Sequence, residues 1–171
     1  MKRLFLIAAL ILATVPAHVS AQGNMLGALP IDNIKCEGME GAVVHIHEHI
    51  GLYDRGREIK VPAGIGIPAG ANCLYWVHTH SADGLIHNES PIRRVFTLGN
   101  FFDIWGGELN WYVAGPVRAV RGHKLIIQVN GHAYRGKNPR DIRLTNHEEI
   151  VIQGGPPYAR TIKKISWGTV G

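Results

Sequence analysis

The stretch Cys73-Leu-Tyr-Trp-Val-His78-Thr-His80-Ser-Ala-Asp83-Gly84-Leu85-Ile-His87-Asn-Glu89 decides how the chain is read. Cys73 to His80 reads as a strand, Asp83-Gly84 as a hairpin signal and Leu85 to Glu89 as the returning strand. Side chains alternate faces along a strand, so i and i+2 share one. His78 and His80 therefore share a face of one arm, and His87 and Glu89 share a face of the other. With a two-residue turn at Asp83-Gly84, His80 faces His87 and His78 faces Glu89, with Cβ atoms roughly 4.5–5.5 Å apart. A four-residue turn shifts the pairing but keeps all four on one face. A three-residue turn without a bulge sends the two pairs to opposite faces.

Upstream, Ala42 to Ile50 reads as a strand rich in β formers, and the same alternation puts His45, His47 and His49 on one face. If that strand packs beside the hairpin, seven candidate ligands face one another: His45, His47, His49, His78, His80, His87 and Glu89. A transition metal takes roughly four ligands at about 2 Å, so the set is large enough for a dinuclear centre. Imidazole with a carboxylate suits Cu(II) or Zn(II), with Fe(II) or Mn(II) behind them. Cys73 is odd-numbered on a strand whose histidines are even-numbered, so it points away from them and is placed for a disulfide to Cys36. Met25 and Met39 both precede the cluster, and no thiolate or thioether is at hand to favour Cu(I). His123, His132 and His147 each stand alone near a turn and read as surface residues, and Asp83 reads as a turn residue.

The rest of the chain is punctuated in the same way. Residues 53–57 read as a turn, 58–61 as a short strand and 62–70 as a Pro/Gly loop. Strands are expected at 124–129, 132–134, 141–144 and 149–153, with Asn130-Gly131 as a second hairpin signal. One segment departs from the pattern: Leu98, Phe101, Phe102 and Trp105 recur at i, i+3, i+4 and i+7, one face of a helix. Thr97 can cap its start and Gly106-Gly107 its end. The expected fold is a mostly β sandwich or barrel, cupredoxin-like or jelly-roll-like, with one short helix near 97–105.

Lys2 and Arg3 start the chain, Leu4 to Val15 is apolar, and Val19-Ser20-Ala21 supplies small residues, so residues 1–21 read as a cleaved signal peptide. The apolar run is shorter than the roughly 20 residues needed to span a bilayer. Residues 22–171 then form a single mostly β metal-binding domain in the periplasm or outside the cell, with no integral membrane segment. Without Lys2 and Arg3, the 18 basic residues become 16 against 13 acidic ones, a net charge of +3. The basic residues are scattered, which leaves no footprint for nucleic acid. The oligomeric state is not written in the residues.

The blocks Cys73-Leu-Tyr-Trp-Val-His-Thr-His80, Asp83-Gly-Leu-Ile-His-Asn-Glu-Ser-Pro91 and Phe96-Thr-Leu-Gly-Asn-Phe-Phe-Asp-Ile-Trp105, with His45-x-His-x-His49, resemble a family of secreted bacterial proteins of uncharacterised function. Trp76-Val-His78-Thr-His80 with Gly84-Leu85 is similar to a copper-binding stretch of multicopper oxidases, a likeness that implies copper ligation by His78 and His80. The His-Cys-His segment of those oxidases is absent. Locally the His-x-His pairs also resemble those of cupins and of the carbonic anhydrases that hold zinc on a β-sheet.

Three functions follow from the same residues. The chain is an exported binder of a transition metal, or a metal-dependent oxidoreductase or hydrolase acting on a small molecule, or a structural domain stapled by its metal. A catalytic ion keeps a position open for water or substrate, and Glu89 serves either as a ligand or as a base beside the ion.

Overall fold

The structure is a computed structural model and describes residues 28–169. The expected signal peptide, residues 1–21, lies outside the described residues, as do residues 22–27 and 170–171. No helix among the described residues is long and apolar enough to cross a membrane.

The fold is mostly β and sandwich-like. Its first strand, β1 (Cys36–Glu37), is short and the second, β2 (Val44–Asp54), is long. After a turn at Arg55-Gly56 the chain returns as β3 (Arg57–Ile59), then reaches β4 (Leu74–Tyr75), β5 (Val77–His78) and β6 (Leu85–Ser90). β7 (Phe96–Thr97) leads into the helix α1 (Leu98–Trp105). β8 (Val113–Ala114), β9 (Val117–Arg118), β10 (Ile126–Val129), β11 (His132–Ala133), β12 (Arg143–Leu144) and β13 (Glu148–Gly154) complete the set.

Seven of these form one mixed sheet in the order β11-β10-β13-β2-β6-β5, with β3 on β2. The order does not close on itself, so the barrel alternative is not the one that forms. β2 lies at the centre, parallel to β13 and antiparallel to β6. One face of the sheet carries Ile50, Leu52, Ile86, Ile127, Ile150 and Ile152, all buried. Against them pack α1 and the short ladders β7–β12 and β8–β9, through residues such as Phe96, Leu98, Phe101, Phe102, Val117 and Leu144. Burying these side chains contributes roughly 1.5–3 kcal/mol each, the main favourable term in the fold. The other face carries the odd-numbered residues of β2. Its far end is covered by the C-terminal tail, where Lys163 N–H donates to the Tyr53 hydroxyl and Ala159 N–H to Gln153 Oε1.

The helix forms as its spacing predicts. Thr97 accepts from Asn100 N–H, the Asn100 side chain reaches back to the Thr97 backbone, and Gly106 ends the helix at φ 75°. Only a residue tolerant of positive φ sits comfortably there. Asn130-Gly131 adopts positive φ at both positions, as a tight hairpin between right-twisted strands requires. The strand expected over 73–80 is interrupted. Its outer edge does not meet a strand but the 64–66 loop: Tyr75 N–H donates to Gly66 O, Thr79 N–H to Ile65 O and Gly64 N–H to Thr79 O. On the other edge the partner changes from β1 at Leu74–Tyr75 to β6 at Val77–His78, and this change divides the strand into β4 and β5.

The core face contains a buried polar cluster of Glu48, Asn88 and Glu148. Glu48 of β2 is fully buried, accepts a hydrogen bond from Asn88 Nδ2 at 2.6 Å, and sits opposite Glu148 in the parallel register. Burial pushes the Glu48 carboxyl up to about 8, and the neighbouring Glu148 adds to the shift. A raised folded pKa contributes stability below the unfolded value of 4.5, which drains away as the pH climbs through 8, at about 1.4 kcal/mol per unit. Glu48→Gln keeps an acceptor for Asn88 and cannot ionise. In metal-free denaturant titrations, the variant should gain on wild type by several kcal/mol between pH 5 and pH 8; parallel stability profiles would contradict the neutral carboxyl.

Candidate metal centre

The centre is assembled by two ladders. β2 and β6 pair His45 with Glu89 and His47 with His87, and β5 and β6 pair His78 with His87. His47, His87 and His78 thus form a row across three strands, with His45 and Glu89 in the row beside it. The hairpin register differs from a two-residue turn at Asp83-Gly84: His78, not His80, faces His87. The turn spans four residues because Asp83 Oδ1 accepts from Leu85 N–H and Asp83 Oδ2 from the Ser81 hydroxyl. Gly84, at φ 87°, lies so close to β2 that a Cβ there would meet Ile50 O at 2.3 Å. The shift is by two positions, so every ligand keeps its face.

The rings interlock. Centroids of His47 and His87 lie 4.6 Å apart, those of His80 and His87 4.6 Å, and His78 stacks on His87 at 5.3 Å. Two triads offer one ligand atom each within 4.8 Å of one another: His78 with His80 and His87, and His45 with His47 and Glu89. His78 Nδ1 lies 2.9 Å from Tyr75 O. A carbonyl only accepts, so the proton sits on Nδ1 and the Nε2 lone pair is free. That Nε2 lies 3.1 Å from His80 Nε2. Two nitrogens bound at about 2.0–2.1 Å to one tetrahedral ion sit roughly 3.3 Å apart, so the spacing is that of ligands sharing an ion. Glu89 stands between the triads, with Oε1 3.2 Å from His87 Nδ1 and 3.5 Å from His45 Nε2, and Oε2 3.8 Å from His78 Nε2. Its Oε2 is buried and lacks a hydrogen-bond partner, an acceptor left for a cation.

Burial and the neighbouring histidines keep His47, His78 and His87 neutral. Burial holds His78 down to about 4 and His87 to about 3, and the surrounding histidines depress His87 further. His47 is lowered by burial and by His45. Burial raises Glu89, and Glu40 raises it too. At neutral pH an incoming cation therefore meets unprotonated nitrogens on His47, His78 and His87.

Two residues depart from the seven expected ligands. His49 lies on the expected face, one row further along and opposite Leu85. Both of its ring nitrogens are engaged, Nδ1 with Glu149 Oε1 at 2.7 Å and Nε2 with Asp83 O at 3.0 Å, and the structure does not bring it to either triad. Glu40, absent from the sequence reading, reaches the cluster instead: its Oε1 is 3.6 Å from His80 Nε2, and it forms a third group with His78 and Glu89. The available signal was Cys36, four residues before Glu40, whose disulfide to Cys73 draws that segment toward the His78 strand. His123, His132 and His147 are exposed, as expected.

No protein-family model, curated protein or solved structure matches this chain.

Depressed histidine pKa values predict a pH response of the metal-free protein. A base whose folded pKa lies below its unfolded 6.5 leaves the fold stable above 6.5 and costs stability as the pH falls from there toward 4 and 3. His78→Gln should flatten this acid limb, each removed site relieving up to about 1.4 kcal/mol per pH unit. An acid limb unchanged by the substitution would show that His78 is not held neutral.

Proposed function

We propose that the protein is an exported binder of Cu(II) or Zn(II), holding one ion on His78, His80 and His87 and a second on His45, His47 and Glu89. The observation that carries this reading is the 3.1 Å approach of His78 Nε2 and His80 Nε2, with the His78 proton held on the far nitrogen. His78 Nε2 carries a lone pair, and at that distance either the His80 Nε2–H or a shared metal ion lies between the two nitrogens. Glu89 ties the second site to the first: it accepts from His87 Nδ1–H and turns its other oxygen to the cluster, the carboxylate–histidine–metal arrangement that fixes ligand orientation. The Cys36–Cys73 disulfide and the apolar, small-residue N-terminus support export. Similarity of residues 76–85 to the copper-binding stretch of multicopper oxidases favours copper over zinc.

A metal-dependent enzyme is the second reading, favoured by the exposure of His45 and His80, whose side chains are 49% and 46% accessible. An ion bound on that side has room for water.

Elemental analysis of protein purified without a histidine tag tests the first reading, with two equivalents of metal expected. His78→Ala/His80→Ala should remove at least one equivalent, and His132→Ala should remove none. Wild-type metal content in the double variant would exclude this centre.

A further inference from the structure

Residues 38–43 cross the mouth of the metal centre, and both ends of the segment are tied. At one end, β1 pairs with β4, the Cys36–Cys73 disulfide bridges them, and Trp76 Nε1–H donates to Glu37 Oε2 at 2.8 Å. At the other, Val43 N–H donates to Ser90 O. Between them Gly41 is pressed onto the strand that bears Glu89. A Cβ at Gly41 would meet the Ser90 carbonyl carbon at 2.1 Å and the Pro91 nitrogen at 2.2 Å, so only glycine lets the backbone pass there. Glu40 is the residue this crossing holds over the histidines, with Oε1 3.6 Å from His80 Nε2 and a carboxylate oxygen within 4.8 Å of ligand atoms of His78 and Glu89.

The His78/His80/His87 triad supplies three nitrogens, and a tetrahedral ion needs a fourth donor. Cys73 itself is in the disulfide and the described residues hold no free cysteine. Glu89 faces both triads. Glu40 is the carboxylate on the solvent side of the triad. An ordinary exposed glutamate would need neither a glycine packed at backbone contact nor a covalent bridge to fix its segment.

We propose that Glu40 is the fourth ligand of the ion on His78, His80 and His87, and that the Cys36–Cys73 disulfide holds it there, so that the bridge governs whether this ion is closed or open to water. The inference rests on the metal-binding reading above and adds a ligand and a control to it. With Glu40 bound, the ion is four-coordinate and closed, as in a storage or delivery site. With the segment released, a water takes the fourth position, and a metal-bound water ionises near neutral pH.

The test compares wild type, Glu40→Ala, Gly41→Ala, Cys36→Ser/Cys73→Ser and the triple variant carrying Glu40→Ala with both serines. Each is titrated with Zn(II) against a competing chelator and with Co(II) by visible absorption. Glu40→Ala should weaken the first Zn(II) equivalent by about ten- to a hundredfold. Its Co(II) spectrum should acquire a pH dependence near 7 that wild type lacks. The serine pair should reproduce both changes, and adding Glu40→Ala to it should cost nothing more, because both act through one contact. Gly41→Ala displaces the segment with the disulfide intact and should give the same loss, which keeps the test valid if the serine pair does not fold. Wild-type affinity in Glu40→Ala would overturn the inference and leave the histidine site standing. Additive losses in the triple variant would overturn the control by the disulfide. Failure of wild type itself to bind Zn(II), Cu(II) or Co(II) would remove the metal-binding reading and this inference together.

Discussion

The whole arrangement depends on the register between β2 and β6. His45 opposite Glu89 and His47 opposite His87 put every potential ligand on the outer face and Ile46, Glu48 and Ile50 on the inner one. A strand has a side-chain period of two, so a slip of one residue would exchange the faces. Three imidazoles would enter the core, and the buried Ile50 and Leu52 would leave it. The cost of that exchange, several side chains at roughly 1.5–3 kcal/mol each, pins the register by hydrophobic burial alone. The ligands do not need to attract one another to converge; the core side of the same strand places them. β13, parallel to β2 along Glu48–Asp54, shields the other edge and leaves β2 no freedom to slide.

That economy has a consequence for stability. The sheet that aligns the histidines also buries some of them, and these are held in their neutral form. His78 and His87 resist protonation because water is excluded from them. Glu48, on the inner face of the same strand, resists ionisation for the same reason. The two effects have opposite sign. Acid penalises the histidine face and alkali the glutamate face, so the metal-free fold is squeezed from both sides of a narrow optimum. Neutral imidazoles are also the form a metal requires, so the groups that limit stability in acid are the ones prepared for a cation near neutral pH.

Much of this was legible in the residues, for reasons that can be named. The helix was visible because Thr97, the 98/101/102/105 stripe and Gly106 are local signals that agree with one another. The disulfide was expected from the paired cysteines and strand parity, and it forms although the strand over 73–80 is interrupted at Trp76. Parity put His45 and His47 on one face, and their convergence on the hairpin waited on the pairing of β2 with β6. The hairpin offset was not legible, because Asp83 closes a four-residue turn through its own side chain, and an Asp-Gly pair alone does not distinguish that from a two-residue turn. The fate of His49 depended on Glu149, one hundred residues away, which engages its Nδ1. Glu40 lies in a segment with no periodicity, and long-range ties, the disulfide among them, carry it to the site. Local chemistry wrote the elements and their faces, while long-range pairing decided which neighbours each face would meet.

The centre divides by depth, and this bears on binding against catalysis. His47, His78 and Glu89 are buried, 5%, 0% and 2% exposed, whereas His45, His80 and Glu40 face solvent. An ion enclosed only by the buried groups would have no stepwise route out, since every ligand would have to leave a packed site at once. Exposed ligands can dissociate one at a time and be replaced by water or by donors of an incoming molecule. In a loaded centre the buried groups would therefore set geometry and affinity, and the exposed ones the rate of exchange. A protein that delivers metal needs that separation, because tight retention and timely release are otherwise opposed. An enzyme built on the same sheet would need only to keep one exposed position free. The difference between the two functions is thus confined to the solvent side of the cluster, and the strands beneath serve either equally well.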